Sequence, residues 1–129
     1  MRVKPPFGQV LDHLVVTLLD GHVPGKDYVS PSDPFVRLFV YNPDTNRESF
    51  IGESKRFTNT NNPIFNQSFL AESVPTSSTL IFKIFDEDKA NSDDHIATIM
   101  RTVHTLIKNG TQKGSFPNGW INFRINENY

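Results

Sequence analysis

Phe82-Lys83-Ile84-Phe85-Asp86-Glu87-Asp88-Lys89-Ala90-Asn91-Ser92-Asp93-Asp94 reads as a strand running out into a carboxylate-rich loop. Leu80, Phe82 and Ile84 fall on alternate positions, with Lys83 between them facing solvent, the period-2 pattern of a half-buried strand. Five acidic side chains then fall between Asp86 and Asp94. Like charges set that close repel one another, so such a loop calls for a compensating positive charge. A hard cation is the natural candidate: calcium takes about six to eight oxygen ligands, and carboxylates supply both the oxygens and the charge.

Outward from this stretch, the chain keeps the same grammar. It has 129 residues, enough for one domain with its own core, and we read residues 1–129 as a single domain with a core over 13–125 that could equally be a module of a larger protein. Its 11 Phe and 9 Pro, with recurrent Asn, Asp and Ser clusters, are the punctuation of short strands. The formal net charge of −1 lacks the clustered Lys and Arg that a nucleic-acid backbone demands. There is no cysteine, which excludes disulfides and thiolate metal sites. No apolar run approaches the roughly 20 residues of a membrane span. The opening Met1-Arg2-Val3-Lys4-Pro5-Pro6 has no apolar segment behind it, unlike a secretory signal.

Taken in order, residues 1–12 allow at most an edge strand because of Pro5-Pro6. Strands are expected at His13–Asp20, Phe35–Tyr41, Ser49–Thr58, Ile64–Leu70, Leu80–Phe85, His95–Arg101 and Trp120–Ile125, with Asn42–Asn46 as a hairpin turn. Arg37 should face outward, Glu72–Thr79 should be a polar connector, and a Gly/Pro-rich loop should precede Trp120. The one helical candidate is a short surface helix near 102–109, with Thr102 to cap its start, Lys108 near its negative end and Gly110 to stop it. Seven clear strands, an eighth at an end and no internal repeat point to an all-β, antiparallel β-sandwich.

Chemistry other than cation binding finds little support. His13, His22, His95 and His104 are scattered with no i, i+4 pair, which argues against zinc. No nucleophile, base and orienting group fall into a recognisable set, and no Gly-rich phosphate loop follows a strand, so the chain is not expected to be an enzyme. Asn66-Gln67-Ser68 and Asn109-Gly110-Thr111 match the glycosylation acceptor pattern, which has meaning only on secretion.

With strands and loops laid out, the sequence resembles a C2 domain, the calcium-dependent phospholipid-binding β-sandwich. The resemblance rests on three pieces in order. Asp27 and Asp33 precede Pro34-Phe35-Val36; Asn62-Pro63-Ile64-Phe65-Asn66 leads into a strand; Asp86, Asp88 and Asp94 stand in the spacing D-x-D-x5-D. The match covers roughly residues 13–125. It implies that Asp27, Asp33, Asp86, Asp88 and Asp94 hold Ca2+, with Glu87 and Asp93 outside the ligand positions. It also implies that Tyr28, Val29 and Lys89 at the loop tips, with Lys55 and Arg56, meet lipid. Departures are Ala97, where many members have Gly, and a polar second tip of Glu87, Lys89 and Ala90.

The function so implied is calcium-dependent binding to anionic phospholipid membranes, either phosphatidylserine or phosphoinositide, by a cytoplasmic monomer recruited peripherally. The alternative is a protein-interaction module with a structural or vestigial calcium site. The family has two circularly permuted topologies. A chain ending just after the Trp120 strand favours the one whose extra strand is N-terminal.

Overall fold

A computed structural model describes residues 4–25, 31–107 and 109–126. Eight strands and one helical turn follow one another: β1 (Val10–His22), β2 (Pro34–Asn42), β3 (Arg47–Glu53), β4 (Ile64–Pro75), β5 (Thr79–Asp86), β6 (Asp94–Thr102), α1 (Val103–Leu106), β7 (Gln112–Phe116) and β8 (Gly119–Ile125). They form two four-stranded sheets, in the orders β4-β1-β8-β7 and β3-β2-β5-β6, and every pairing is antiparallel. This is the expected β-sandwich.

The inner faces are apolar on alternate positions, as the period of a strand requires. Leu14, Val16, Leu18, Ile121 and Phe123 from one sheet meet Leu38, Val40, Leu80, Phe82, Ile84 and Ile99 from the other, all buried. Phe82 and Phe123 touch across the gap with ring centroids 4.3 Å apart.

Several expectations are corrected. Residues 4–9 form a turn rather than an edge strand, Gln9 N donating to the Pro6 carbonyl at 3.1 Å. The strand that does start here is β1 itself, from Val10. The eighth strand is β7, inside the stretch read as a loop, and β8 lies between β1 and β7. Both four-stranded sheets are built from strands within residues 10–125, and β8 closes the first between β1 and β7, so the extra strand is C-terminal and the N-terminal preference is overturned. β7 escaped notice because its one fully buried position is a glycine: a Cβ on Gly114 would sit 2.7 Å from Ile99 Cγ2.

β3 stops at Glu53 because the Ser54 hydroxyl takes over the ladder, accepting from Val36 N at 2.9 Å and donating to the Lys55 carbonyl at 2.9 Å. Lys55 and Arg56 thus lie in a loop, not on a strand. β4 continues through the supposed connector to Pro75, with Ala71 and Val74 turned into the core and Glu72 and Ser73 exposed. The helix is a single turn: Thr102 makes no side-chain cap and the backbone is extended again at Ile107. Lys108 is outside the described residues.

Candidate metal centre

One end of the sandwich gathers the described ends (23–25 and 31–33) of the β1–β2 connection, the loops 54–63 and 87–93, and the tight Pro117-Asn118 turn. The strand register brings two of those loops together: Pro34 lies opposite Asp86 in the β2–β5 pair, and Asp86 lies opposite Asp94 in the β5–β6 pair. Directly opposed residues have Cα atoms roughly 4.5–5.5 Å apart. Asp33, one residue before Pro34, therefore belongs to the same cluster as Asp86 and Asp94.

Backbone bonds hold these carboxylates in place. Asp86 is 4% exposed, and its Oδ1 accepts from Asp33 N at 2.9 Å. Asp33 Oδ1 accepts from Asn59 N at 2.7 Å, while its carbonyl accepts from Glu87 N at 2.9 Å. Asp88 Oδ1 accepts from Ala90 N at 2.9 Å and Asn91 N at 3.2 Å, folding its own loop back as Asp side chains do in turns. Asp94 is exposed opposite buried Asp86.

The middle loop braces the first. Asn61 Oδ1 accepts from Ser32 N at 3.0 Å, Thr60 N donates to the Ser32 carbonyl at 2.9 Å, and the buried Ser32 hydroxyl donates to the Pro24 carbonyl. Val23 N donates to the Asn61 carbonyl at 2.8 Å, so both ends of the first loop are anchored on residues 59–62. The segment leading into Asn62-Pro63 is thus a brace for the first acidic loop. His22 Nδ1 bonds Asn62 Oδ1 at 2.7 Å beside it.

The structure joins Asp33, Asp86, Asp88 and Asp94 at one end, while Asp27, Tyr28 and Val29 are outside the described residues. Among the described residues, no three Asp, Glu or His side chains form a metal-binding group by themselves. The donor chemistry itself fits a hard divalent cation: carboxylate oxygens from adjacent strand ends, each with several lone-pair positions.

The two basic candidates from the loop differ sharply. Lys55 is exposed, and so is Lys89 at the second tip. Arg56 is already engaged: its guanidinium donates to Glu87 Oε1 at 3.0 Å and lies 3.2 Å from Glu53 Oε2. It also lies 3.9 Å over the Phe35 ring. The hydrogen bond to Glu53 holds the Arg56 guanidinium more firmly protonated than usual.

Arg37 joins it from β2, donating from Nε to Glu53 Oε1 at 2.8 Å. Burial pushes the Glu53 carboxyl up, but hydrogen bonds from Arg37 and then Arg56, together with their charges, leave it below the usual carboxylate range. Asp93 Oδ2 lies 3.9 Å from Arg37 and 3.8 Å from Arg56. Beneath this cluster Phe35 and Phe85 stack at 5.3 Å. Sequence reasoning missed this arrangement. Arg37 interrupting an apolar strand is its only local signal, because the partners come from four separate segments.

No helix among the described residues is long and apolar enough to cross a membrane. The family model described as C2 domain matches residues 12–122. The chain is 33% identical to the E3 ubiquitin-protein ligase Nedd-4 of Drosophila melanogaster over 97 residues, covering 73% of this chain and 9% of that protein. It is 33% identical to Synaptotagmin-1 of Caenorhabditis elegans over 91 residues, 67% of this chain and 20% of that one. Among solved structures, the calcium-bound pair of C2 domains of Extended-Synaptotagmin 2 superposes with a TM-score of 0.70 at 21% identity, covering 92% of this chain and 46% of that one. A single C2 domain of a plant Extended Synaptotagmin 1 gives 0.72 at 12% identity, over 91% and 94%. The chain thus spans 9–20% of the length of these two curated relatives.

Proposed function

The chain belongs to the C2 domain family, and from that premise we propose that it is a calcium-dependent, non-catalytic module that docks on anionic phospholipid membranes. The observation that supports this most directly is the register Pro34–Asp86–Asp94, which brings two acidic loops to one end of a rigid sandwich. In this reading Asp27, Asp33, Asp86, Asp88 and Asp94 hold the cation. Calcium held there would offset the carboxylate charge and offer open coordination positions to lipid phosphate or carboxylate oxygens.

The chain's own residues do the rest. Without a cation, five aspartates at one end repel an anionic surface. Asn59, Thr60 and Asn61 brace the described ends of the first loop, and the Asp33–Asp86 and Glu87–Asp33 bonds tie it to the second, so docking needs little backbone movement. Tyr28 and Val29 settle at the interface, and Lys89 and Lys55 contribute about 1 kcal/mol each near an anionic surface. The protein is then a cytoplasmic monomer recruited peripherally.

The test is co-sedimentation with phosphatidylserine or phosphoinositide vesicles, in calcium and in chelator. Pelleting only in calcium is expected, and Asp86→Asn with Asp88→Asn should abolish it. That double variant should melt no lower than the parent in chelator, since it relieves like-charge repulsion and keeps the Asp86 oxygen acceptor. Calcium-dependent pelleting retained in the variant would sink the site assignment. Absence of pelleting under every condition would favour a protein partner.

A further inference from the structure

Glu87 and Asp93 flank the central stretch of the acidic loop, and both are largely withdrawn from solvent, with side chains 19% and 22% exposed. We propose that Arg37 and Arg56 are positioning residues that pin both legs of this loop to the outer face of the β3-β2-β5-β6 sheet and so preset the Asp88 segment for a cation. The inference rests on the cation site proposed above, but its structural half is independent of any ion.

The chain of contacts is continuous. Glu53 at the end of β3 accepts from both guanidiniums. Arg56 reaches forward to Glu87, and Asp93 Oδ2 faces both arginines. The other Asp93 oxygen, Oδ1, accepts from Asp88 N at 3.0 Å. An arginine displacement is thereby passed, through one carboxylate, to the backbone of a ligand position.

The guanidiniums are themselves fixed against an aromatic floor. Arg56 lies 3.9 Å over Phe35, and Arg37 lies 5.3 Å from Phe35 and 5.0 Å from Phe85. Guanidinium is suited to this, because a planar fork bonds two carboxylates while stacking on a ring, which a lysine ammonium does not reproduce. Two loop carboxylates are thereby neutralised by the protein, and the remaining acids face the cation. Partners that orient a metal's ligands change affinity by about ten- to a hundredfold when removed.

The arginines also carry positive charge near the cation, and simple repulsion has the opposite sign. If that alone mattered, Arg56→Gln would tighten calcium and Arg56→Lys would match the parent. Positioning requires that both weaken it. The experiment is amide hydrogen exchange of residues 87–93 in chelator, with calorimetric calcium titration, for Arg37→Gln, Arg56→Gln, Arg56→Lys and Glu87→Gln. Arg124→Gln serves as control, since Arg124 is exposed on β8, in the opposite sheet.

Expected are about tenfold loss of protection in residues 87–93 for the two Arg56 variants, unchanged protection at Leu80–Ile84, and about tenfold weaker calcium. The control should match the parent in both. Glu87→Gln, which breaks the link from the loop side, should also lose loop protection. Unchanged loop protection in Arg56→Gln, or tighter calcium, overturns the proposal. If the parent binds no calcium, the cation reading fails, yet loop protection in chelator still decides whether the arginines position the loop.

Discussion

Glu53 shows how one carboxylate can serve a whole corner of the molecule. It sits opposite Arg37 in the β2–β3 register and binds both arginines, and its acidity is strengthened accordingly. A folded-state value below the unfolded one contributes stability that is complete above about pH 4.3 and is lost as pH falls through the lower, folded value. Urea midpoints for the parent and Glu53→Gln should therefore differ most from pH 5 upward and converge in more acid solution. A difference that persists unchanged well below pH 4 would show that the carboxylate acts by shape rather than by charge.

At the level of elements, the β7–β8 hairpin is the part most dependent on small residues. Its turn follows the order of a type II turn, Pro117 then Asn118 at φ 65°, and Gly119 follows immediately. A Cβ on Gly119 would overlap the His22 carbonyl oxygen and the Phe116 ring, so the strand can close on β1 only with glycine there. Gly119→Ala is expected to destabilise the domain by about 1–3 kcal/mol, the usual cost of overpacking, read as a lower denaturation midpoint with an unchanged slope. A midpoint equal to the parent's would mean that the hairpin shifts freely.

Of this hairpin, β8 was legible as Trp120–Ile125, but β7 was not. Strands betray themselves by apolar alternation, and β7 presents to the core Gly114, which has no side chain, and the half-buried Phe116 at its end. β4 was half legible: its inward Phe65, Ala71 and Val74 are spread among exposed residues both polar and apolar, Leu70 and Glu72 among them, because one face of an antiparallel edge strand is wet. β5, by contrast, reads plainly, because Leu80, Phe82 and Ile84 are buried on one face and Lys83 lies on the other.

For the whole molecule, the sandwich is a frame that carries loops from both of its sheets at one end. A cation that binds only the folded arrangement stabilises it by mass action, about 2.7 kcal/mol at a hundredfold excess over Kd. At roughly 3–5 °C per kcal/mol for a domain of this size, saturating calcium should raise Tm by on the order of 10 °C. Chelator should reverse the rise. Magnesium should give much less, because it demands near-octahedral geometry and sheds its waters reluctantly. Equal shifts with both ions would point to general charge screening instead of a site.

The sequence by itself determined the all-β class, the β-sandwich of C2 type and the acidic loop chemistry. These are properties of neighbouring residues: alternation has period 2, turn residues lie side by side, and the aspartates of each loop stand within a few positions of one another. Only the tertiary structure decided which terminus supplies the extra strand, since that depends on β8 entering between β1 and β7. It alone joined Arg56 to Glu87, 31 residues away, and drew Arg37, Glu53 and Asp93 into the same cluster. Charges that distant in the chain meet through strand register and loop closure, and no local pattern encodes the outcome.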